Sequence, residues 1–303
     1  MADYYTCKAG ALQSFVEKIV RAMGADDDIA LVVARHLVRS NLSGHDSHGV
    51  IRIPWYVAET DAGSLAPSAR PIVHRDRGVT ALIDAQDGFG HFSTAFALEW
   101  AVERAIQHGI AAAAIRHSTH IGRVGEYTER AAARGLISIV TVGAGGPGVG
   151  GMVLYGGREK FFGANPWSIG VPAGERAPMI FDGSTSAVAE GKVRVARAKG
   201  IDLPLGCIID RDGKPTTDPN DFYDGGALLP LGGDVAGHKG YGLAMASALL
   251  SGLAMIDDPN PTLIGAPMIE SEGGPKGIMA GVFLTVIDPA AFGDADQYQQ
   301  LVG

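Results

Sequence analysis

The chain has 303 residues, of which 46% are apolar and 19% charged, so a sizeable core is available and disorder is argued against. A formal net charge of −8 removes most of the electrostatic support for nucleic-acid binding. Only Cys7 and Cys207 are present, which excludes a disulfide framework or a cysteine-built zinc site and fits a reducing cytoplasm. The start, MADYYTCKAG, lacks the basic-then-apolar layout of a signal peptide. Glycine, at 43 copies without a three-residue period, points to tight turns and close main-chain approaches rather than collagen.

In chain order, Leu12, Phe15, Val16, Ile19, Val20 and Met23 recur at helical spacing over residues 11–23, and Gly24 closes that helix. Asp26–Asp28 open a second helix, with Leu31, Val32, Ala34, Leu37 and Val38 inward, which ends at Ser43-Gly44. A third helix is expected over Val50–Thr60, before the loop GSLAPSARP. Strands and helices then alternate. Strands are expected at 80–85, 111–115, 136–142, Trp167–Val171, Met179–Phe181 and Gly281–Ile287, and helices at Phe92–His108 and Arg123–Arg134. The longest uncharged run, Gly240–Ile256, is too short for a bilayer and reads as a core helix. Interleaved elements imply an α/β or α+β arrangement, and there is no internal repeat.

Residues 143–148, GAGGPG, match G-x-G-x-x-G directly after a strand. A Rossmann site needs a helix to begin inside that motif, and Gly150, Gly151, Gly156 and Gly157 leave no room for one. A glycine-rich loop lying near a ligand is the expectation. Two histidine clusters stand out: SGHDSHG (43–49), followed by Arg52 and Tyr56, and HSTHIG (117–122). If Gly49 begins a helix, His48, Arg52 and Tyr56 share one face, with an imidazole for proton transfer beside a guanidinium suited to clamping a carboxylate. A metal site built from His45, Asp46, His48, His117 and His120 is chemically possible but has none of the established ligand spacings. Histidines that merely cap helices are the structural alternative.

The stretches SGHDSHGVIRIPWY (43–56), HSTHIGRVGEY (117–127), FFGANPWSIGVPA (161–173), FDGSTSAVAEGKV (181–193), PTTDP (215–219) and GHKGYGL (237–243) follow one another over nearly the whole chain. In these the sequence resembles the malate/L-lactate dehydrogenase-like NAD(P)-dependent oxidoreductases. The resemblance implies a non-Rossmann α/β fold with a mixed central sheet and an N-terminal helical unit. It implies a division into 1–75, carrying the S-H-G motif, a cofactor-binding region 76–280, and a final strand and tail 281–303. Relatives continue for several tens of residues further, so the resemblance implies a truncated end, with segments that complete the cofactor site in some members missing.

The resemblance also implies roles. His48 and His120 are the candidate acid/base groups, with Asp182 beside the second and raising its pKa. Ser47, Arg52 and Tyr56 contact substrate. Asn165, Pro166, the stretch Ile180, Phe181, Asp182, Gly183, Ser184, Thr185 and Ser186, and His238, Lys239 and Gly240 hold NAD or NADP. His45 stands where relatives often carry other residues, and is expected to tune the substrate pocket. The implied reaction moves a hydride between nicotinamide and the α carbon of a small 2-hydroxy or 2-keto acid, in a cytoplasmic homodimer without metal, membrane or nucleic-acid partners. Cyclic-imine carboxylate reduction and a non-catalytic ligand-binding relative are the alternatives.

Overall fold

The computed structural model describes residues 6–146, 148–256, 258 and 281–303, together with the backbone at 270–271 and 274–275. Helices α1 (Ala9–Ala22), α2 (Asp27–Leu42) and α3 (Ile53–Asp61) open the chain. Of the apolar stripes read from the sequence, Val16, Val20, Ala34 and Leu37 are buried, with Ile29, Val33, Tyr56, Leu65 and Phe89, in a core of this unit's own, whereas Phe15 and Leu31 are exposed. The third helix differs from expectation. Gly49 is extended (φ −91°, ψ −155°) and is flanked by two 3-10 turns, Asp46–His48 and Val50–Arg52. Asn41 is the cause: its Oδ1 accepts the Val50 N–H at 2.9 Å, and a Cβ at Gly49 would lie 2.2 Å from that oxygen.

The strands that follow are β1 (Ile72–Asp76), β2 (Thr80–Asp84), β3 (Ile110–Arg116), β4 (Ile137–Val142), β5 (Met152–Val153), β6 (Lys160–Phe162), β7 (Trp167–Val171), β8 (Met179–Gly183), β9 (Ile208–Ile209), β10 (Pro215–Thr216), β11 (Ala227–Leu228), β12 (Glu270–Ser271), β13 (Gly274–Pro275) and β14 (Val282–Ile287). Interleaved with them are α4 (Gly90–His108), α5 (Gly125–Ala132), α6 (Glu190–Lys199), α7 (Pro219–Tyr223) and α8 (Gly233–Ser251), and α9 (Ala295–Val302) closes the chain.

Seven strands form one sheet in the order β1-β2-β3-β14-β4-β7-β8. β2 and β3 run parallel, and the other neighbours are antiparallel. The sheet is mixed, as the resemblance implied. The strand of the closing segment runs through its middle, with Val282, Leu284 and Val286 fully buried. Alternation along β14 puts these three in one core with α4, α5, Ile83, Ile115 and Val140. Gly109 ends α4 in the left-handed conformation (φ +88°), where L-residues are strained. A second sheet, β10-β9-β11-β5-β6, packs with α6, α7 and α8 around Met152, Phe162, Val193, Ile208 and Phe222.

α8 begins earlier than the uncharged run and is core on one side only. Its small residues Gly237, Gly240, Ala244, Ser247 and Ala248 are buried, whereas Leu243 and Leu249, and Leu253 in the 3-10 turn that follows, are exposed. Among the described residues no helix is long and apolar enough to cross a membrane.

Candidate active site

A cavity of about 270 Å³ lies where the helical unit, the end of β4 and the segments beside β5 and β6 come together. His48 from the helical unit and His120 from the loop after β3 line one side; Ile121, Val124, Val142, Ala144, Val149 and Pro166 supply an apolar wall, and Gly122, Gly150, Gly163, Ala164 and Asn165 complete it. Four sequence candidates, His48, His120, Asn165 and Pro166, therefore converge. The glycine-rich loop also reaches the cavity, through Ala144, Val149 and Gly150. Past that loop the chain enters strand β5 instead of a helix, so the dinucleotide-fingerprint geometry is absent there.

Both imidazoles are held by their Nδ1 atoms. His48 Nδ1 lies 3.0 Å from Ser47 Oγ, and His120 Nδ1 lies 2.7 Å from Tyr56 Oη. The rings stack with centroids 5.5 Å apart. Burial, reinforced by the charge of Arg52, pushes the His48 imidazole down to about 4. Burial and the neighbouring imidazoles of His48 and His91 drive His120 well below its usual value too. At neutral pH both rings are uncharged.

Asn165 has a positive φ (+39°), tolerable for Asn, and its amide is pinned at both ends. Its Oδ1 accepts from Ala144 N at 3.0 Å, and its Nδ2 donates to Ala244 O at 2.9 Å.

Other candidates sit differently from expectation. Arg52 is outside the cavity lining: its Nε donates to Ser47 O at 2.6 Å, and its guanidinium carbon lies 5.4 Å from the Trp55 ring centre. With the chain broken at Gly49, the single helical face of His48, Arg52 and Tyr56 does not exist. Tyr56 is buried behind His120 and does not line the cavity. Asp182 Oδ2 accepts the Gly125 N–H at the start of α5 (2.8 Å) and stands 4.0 Å from Arg123, so it caps a helix instead of raising an imidazole pKa. Ile180, Phe181 and Gly183 lie with it on β8, the outer strand of the large sheet.

Ser184 and Ser186 hydroxyls bond each other at 2.6 Å, and Thr185 Oγ1 donates to Ala164 O at 3.0 Å. His238 and Lys239 are exposed on α8, and Gly240 packs on Leu231. Backbone bonds Thr185 N to Ala164 O and Leu231 N to Thr185 O tie this turn to the cavity wall and to the start of α8. The five residues weighed as metal ligands do not converge. His117 is held by Asp84 and Asp258, His45 is exposed, and no three His, Cys, Asp or Glu side chains among the described residues are grouped to hold a metal ion.

Two residues behind the site escaped the sequence reading, His36 and His91. His36 Nε2 accepts the Arg123 N–H at 2.9 Å, which leaves its Nδ1 protonated 3.3 Å from Glu126. His91 Nε2 lies 3.4 Å from Tyr56 Oη. Each stands alone in a helical pattern, where a single histidine carries no signal beyond an ordinary core position.

An apolar cavity with two neutral imidazoles at one wall sets groups able to take or give a proton beside a space poor in water. A family model described as malate/L-lactate dehydrogenase matches residues 7–303. Hydroxycarboxylate dehydrogenase B of Escherichia coli K12 is 36% identical over 293 residues, 95% of this chain and 77% of that protein. A Δ1-pyrroline-2-carboxylate/Δ1-piperideine-2-carboxylate reductase of Pseudomonas putida is 37% identical over 240 residues, 79% of this chain and 68% of that one. The crystal structure of Δ1-piperideine-2-carboxylate reductase from Pseudomonas syringae superposes with TM-score 0.86 at 32% identity, covering 99% of this chain and 87% of that one. The chain belongs to the malate/L-lactate dehydrogenase family and is an oxidoreductase.

Proposed function

We propose that the protein moves a hydride between NAD or NADP and the α carbon of a small 2-hydroxy or 2-keto acid bound in the cavity of His48 and His120. The observation that carries this is the stacked, uncharged imidazole pair at one wall of an otherwise apolar chamber of about 270 Å³. The residues fit the group: an apolar wall of Val124, Val142, Val149 and Pro166 suits the nicotinamide ring, and the volume takes that ring and a small acid while the rest of the dinucleotide lies outside. When bound, the nicotinamide supplies or takes up the hydride.

The protein's own part is proton transfer and placement. In oxidation a neutral His48 accepts the hydroxyl proton at Nε2, since Nδ1 faces Ser47. In reduction the same nitrogen first takes a proton from solvent and gives it to the substrate oxygen as negative charge develops there. Arg52 stands outside the cavity lining with its Nε committed to Ser47 O, and its two Nη groups are the proposed partners of a substrate carboxylate that extends past His48. The turn at Ser184–Ser186, joined to the cavity wall through Thr185, and the exposed His238 and Lys239 are the proposed diphosphate contacts. We place the enzyme in the cytoplasm as a homodimer, a state supported by the exposed Leu243 and Leu249 of α8 and Leu253 of the 3-10 turn after it.

Reduction of a cyclic-imine carboxylate, with nitrogen in place of oxygen as proton acceptor, is the second reading, favoured by the 37% identity to the Pseudomonas putida reductase. A panel of 2-keto acids and cyclic-imine carboxylates with NADH and NADPH separates the two. Turnover of one class is expected, and His48→Asn lowers kcat by about 10²–10⁴-fold while cofactor affinity is retained. Failure to bind either cofactor or turn over any panel member would overturn the enzymatic reading in favour of a non-catalytic relative.

A further inference from the structure

Tyr56 is a buried phenol, 2% exposed, with two imidazoles on its one hydroxyl: His120 Nδ1 at 2.7 Å and His91 Nε2 at 3.4 Å. A phenol has one proton to give, so one of these nitrogens accepts it and the other donates to the oxygen. The short contact has the length of an O–H···N bond and the long one that of a weak N–H···O bond. A second observation decides the direction independently. His91 Nδ1 is buried without a hydrogen-bond partner. If His91 Nε2 donates to Tyr56, that orphan is a bare acceptor. If Nε2 instead accepts, the orphan is an unpaired N–H, the costlier and rarer group to bury.

We propose that Tyr56 is a positioning residue: with His91 donating to it from behind, it gives its proton to His120 Nδ1 and locks His120 as the Nε2–H tautomer. Tyr56 thus acts on the reaction through another side chain and does not contact substrate. The inference rests on the reading of His120 as part of the active site, but the tautomer is a property of the protein alone. Its consequence is a division of labour. Ser47 has a rotatable hydroxyl that can give or take a hydrogen bond, so His48 is free to gain and lose a proton. His120, fixed by Tyr56, offers a permanent N–H to the substrate oxygen.

The test is a long-range ¹H–¹⁵N correlation spectrum of histidine-labelled protein at pH 7, wild type and Tyr56→Phe, without ligand. The wild-type His120 is expected to show a protonated Nε2 and a bare Nδ1. Tyr56→Phe is expected to populate the opposite tautomer, and to lower kcat for pyruvate or oxaloacetate at least about tenfold with little change in KM for the nicotinamide cofactor. A wild-type His120 protonated at Nδ1 overturns the proposal whether or not the variant folds, and so does an unchanged tautomer in folded Tyr56→Phe. Should the tautomer switch as expected while neither protein turns over any keto acid or imine, the positioning role stands and the proposed reaction falls.

Discussion

Gly122 lies where His36 and His91 come closest, their ring centres 4.8 Å apart. It has φ +74°, and a Cβ there would lie 2.3 Å from His36 Nε2 and 2.8 Å from His91 Cδ2. Backbone strain and overpacking add, so Gly122→Ala is expected to cost about 2–5 kcal/mol, read as a fall in the urea midpoint without change in the slope. A midpoint unchanged within error would mean that the two histidines can move aside. At this scale the sequence was legible where histidines clustered in loops among apolar elements, as at His48 and His120, whereas Asn165 came into view only through the resemblance of its stretch. The spacing of His48, Arg52 and Tyr56 misled because the helix it assumed is interrupted at Gly49 by Asn41, a contact between segments that spacing does not record. Asp182 reads as a partner for an imidazole, yet a backbone N–H 57 residues away claims it.

Among elements, the apolar strands and amphipathic helices were readable from their periods, since burial on one face dictates them. The strand β1 was not, because every residue in it is exposed and no alternation results. α6 was passed over because EGKVRVARAK is half charged and buries only Val193 and Ala196. β14 was expected, but its place between β3 and β4 was not, because pairing partners are chosen by the whole sheet. Leu284→Ala in that strand should destabilise by about 2–5 kcal/mol, against less than about 0.5 kcal/mol for a change at exposed Phe292.

His117 links the ends of β2 and β3 to Asp258, with Nδ1 3.1 Å from Asp84 and Nε2 2.6 Å from Asp258. Despite partial burial, which opposes it, hydrogen bonds and charge from the two carboxylates raise its pKa. A raised folded pKa stabilises fully below the unfolded value of about 6.5, and that stabilisation is lost as pH rises through the folded value. The stability gap between wild type and His117→Asn is therefore expected to be wider at pH 5.5 than at pH 9. A gap independent of pH would show that the clamp carries no charge.

For the molecule as a whole, four neutral imidazoles, His36, His48, His91 and His120, are packed in one interior, with His48 lowered to about 4 and His91 to about 3, in each case chiefly by burial. Here the sign is reversed. Unfolded histidines bind protons below about pH 6.5 while the folded ones do not, so stability falls as pH drops from there toward 4. The slope of unfolding free energy against pH near 5.5 should correspond to uptake of several protons, and replacing His91 by Gln should remove about one of them. A flat profile over that range would mean that these rings are charged in the folded state.

The insertion of β14 between β3 and β4 also governs how the chain is assembled during synthesis. Those two strands leave the ribosome more than a hundred residues before the one that joins them. Until it arrives, each presents an open row of amides and carbonyls and an apolar flank, the kind of nascent edge that recruits chaperones or a neighbouring chain. The cavity wall at Val142 thus depends on a strand made long after its own, through Val282, which pairs with it.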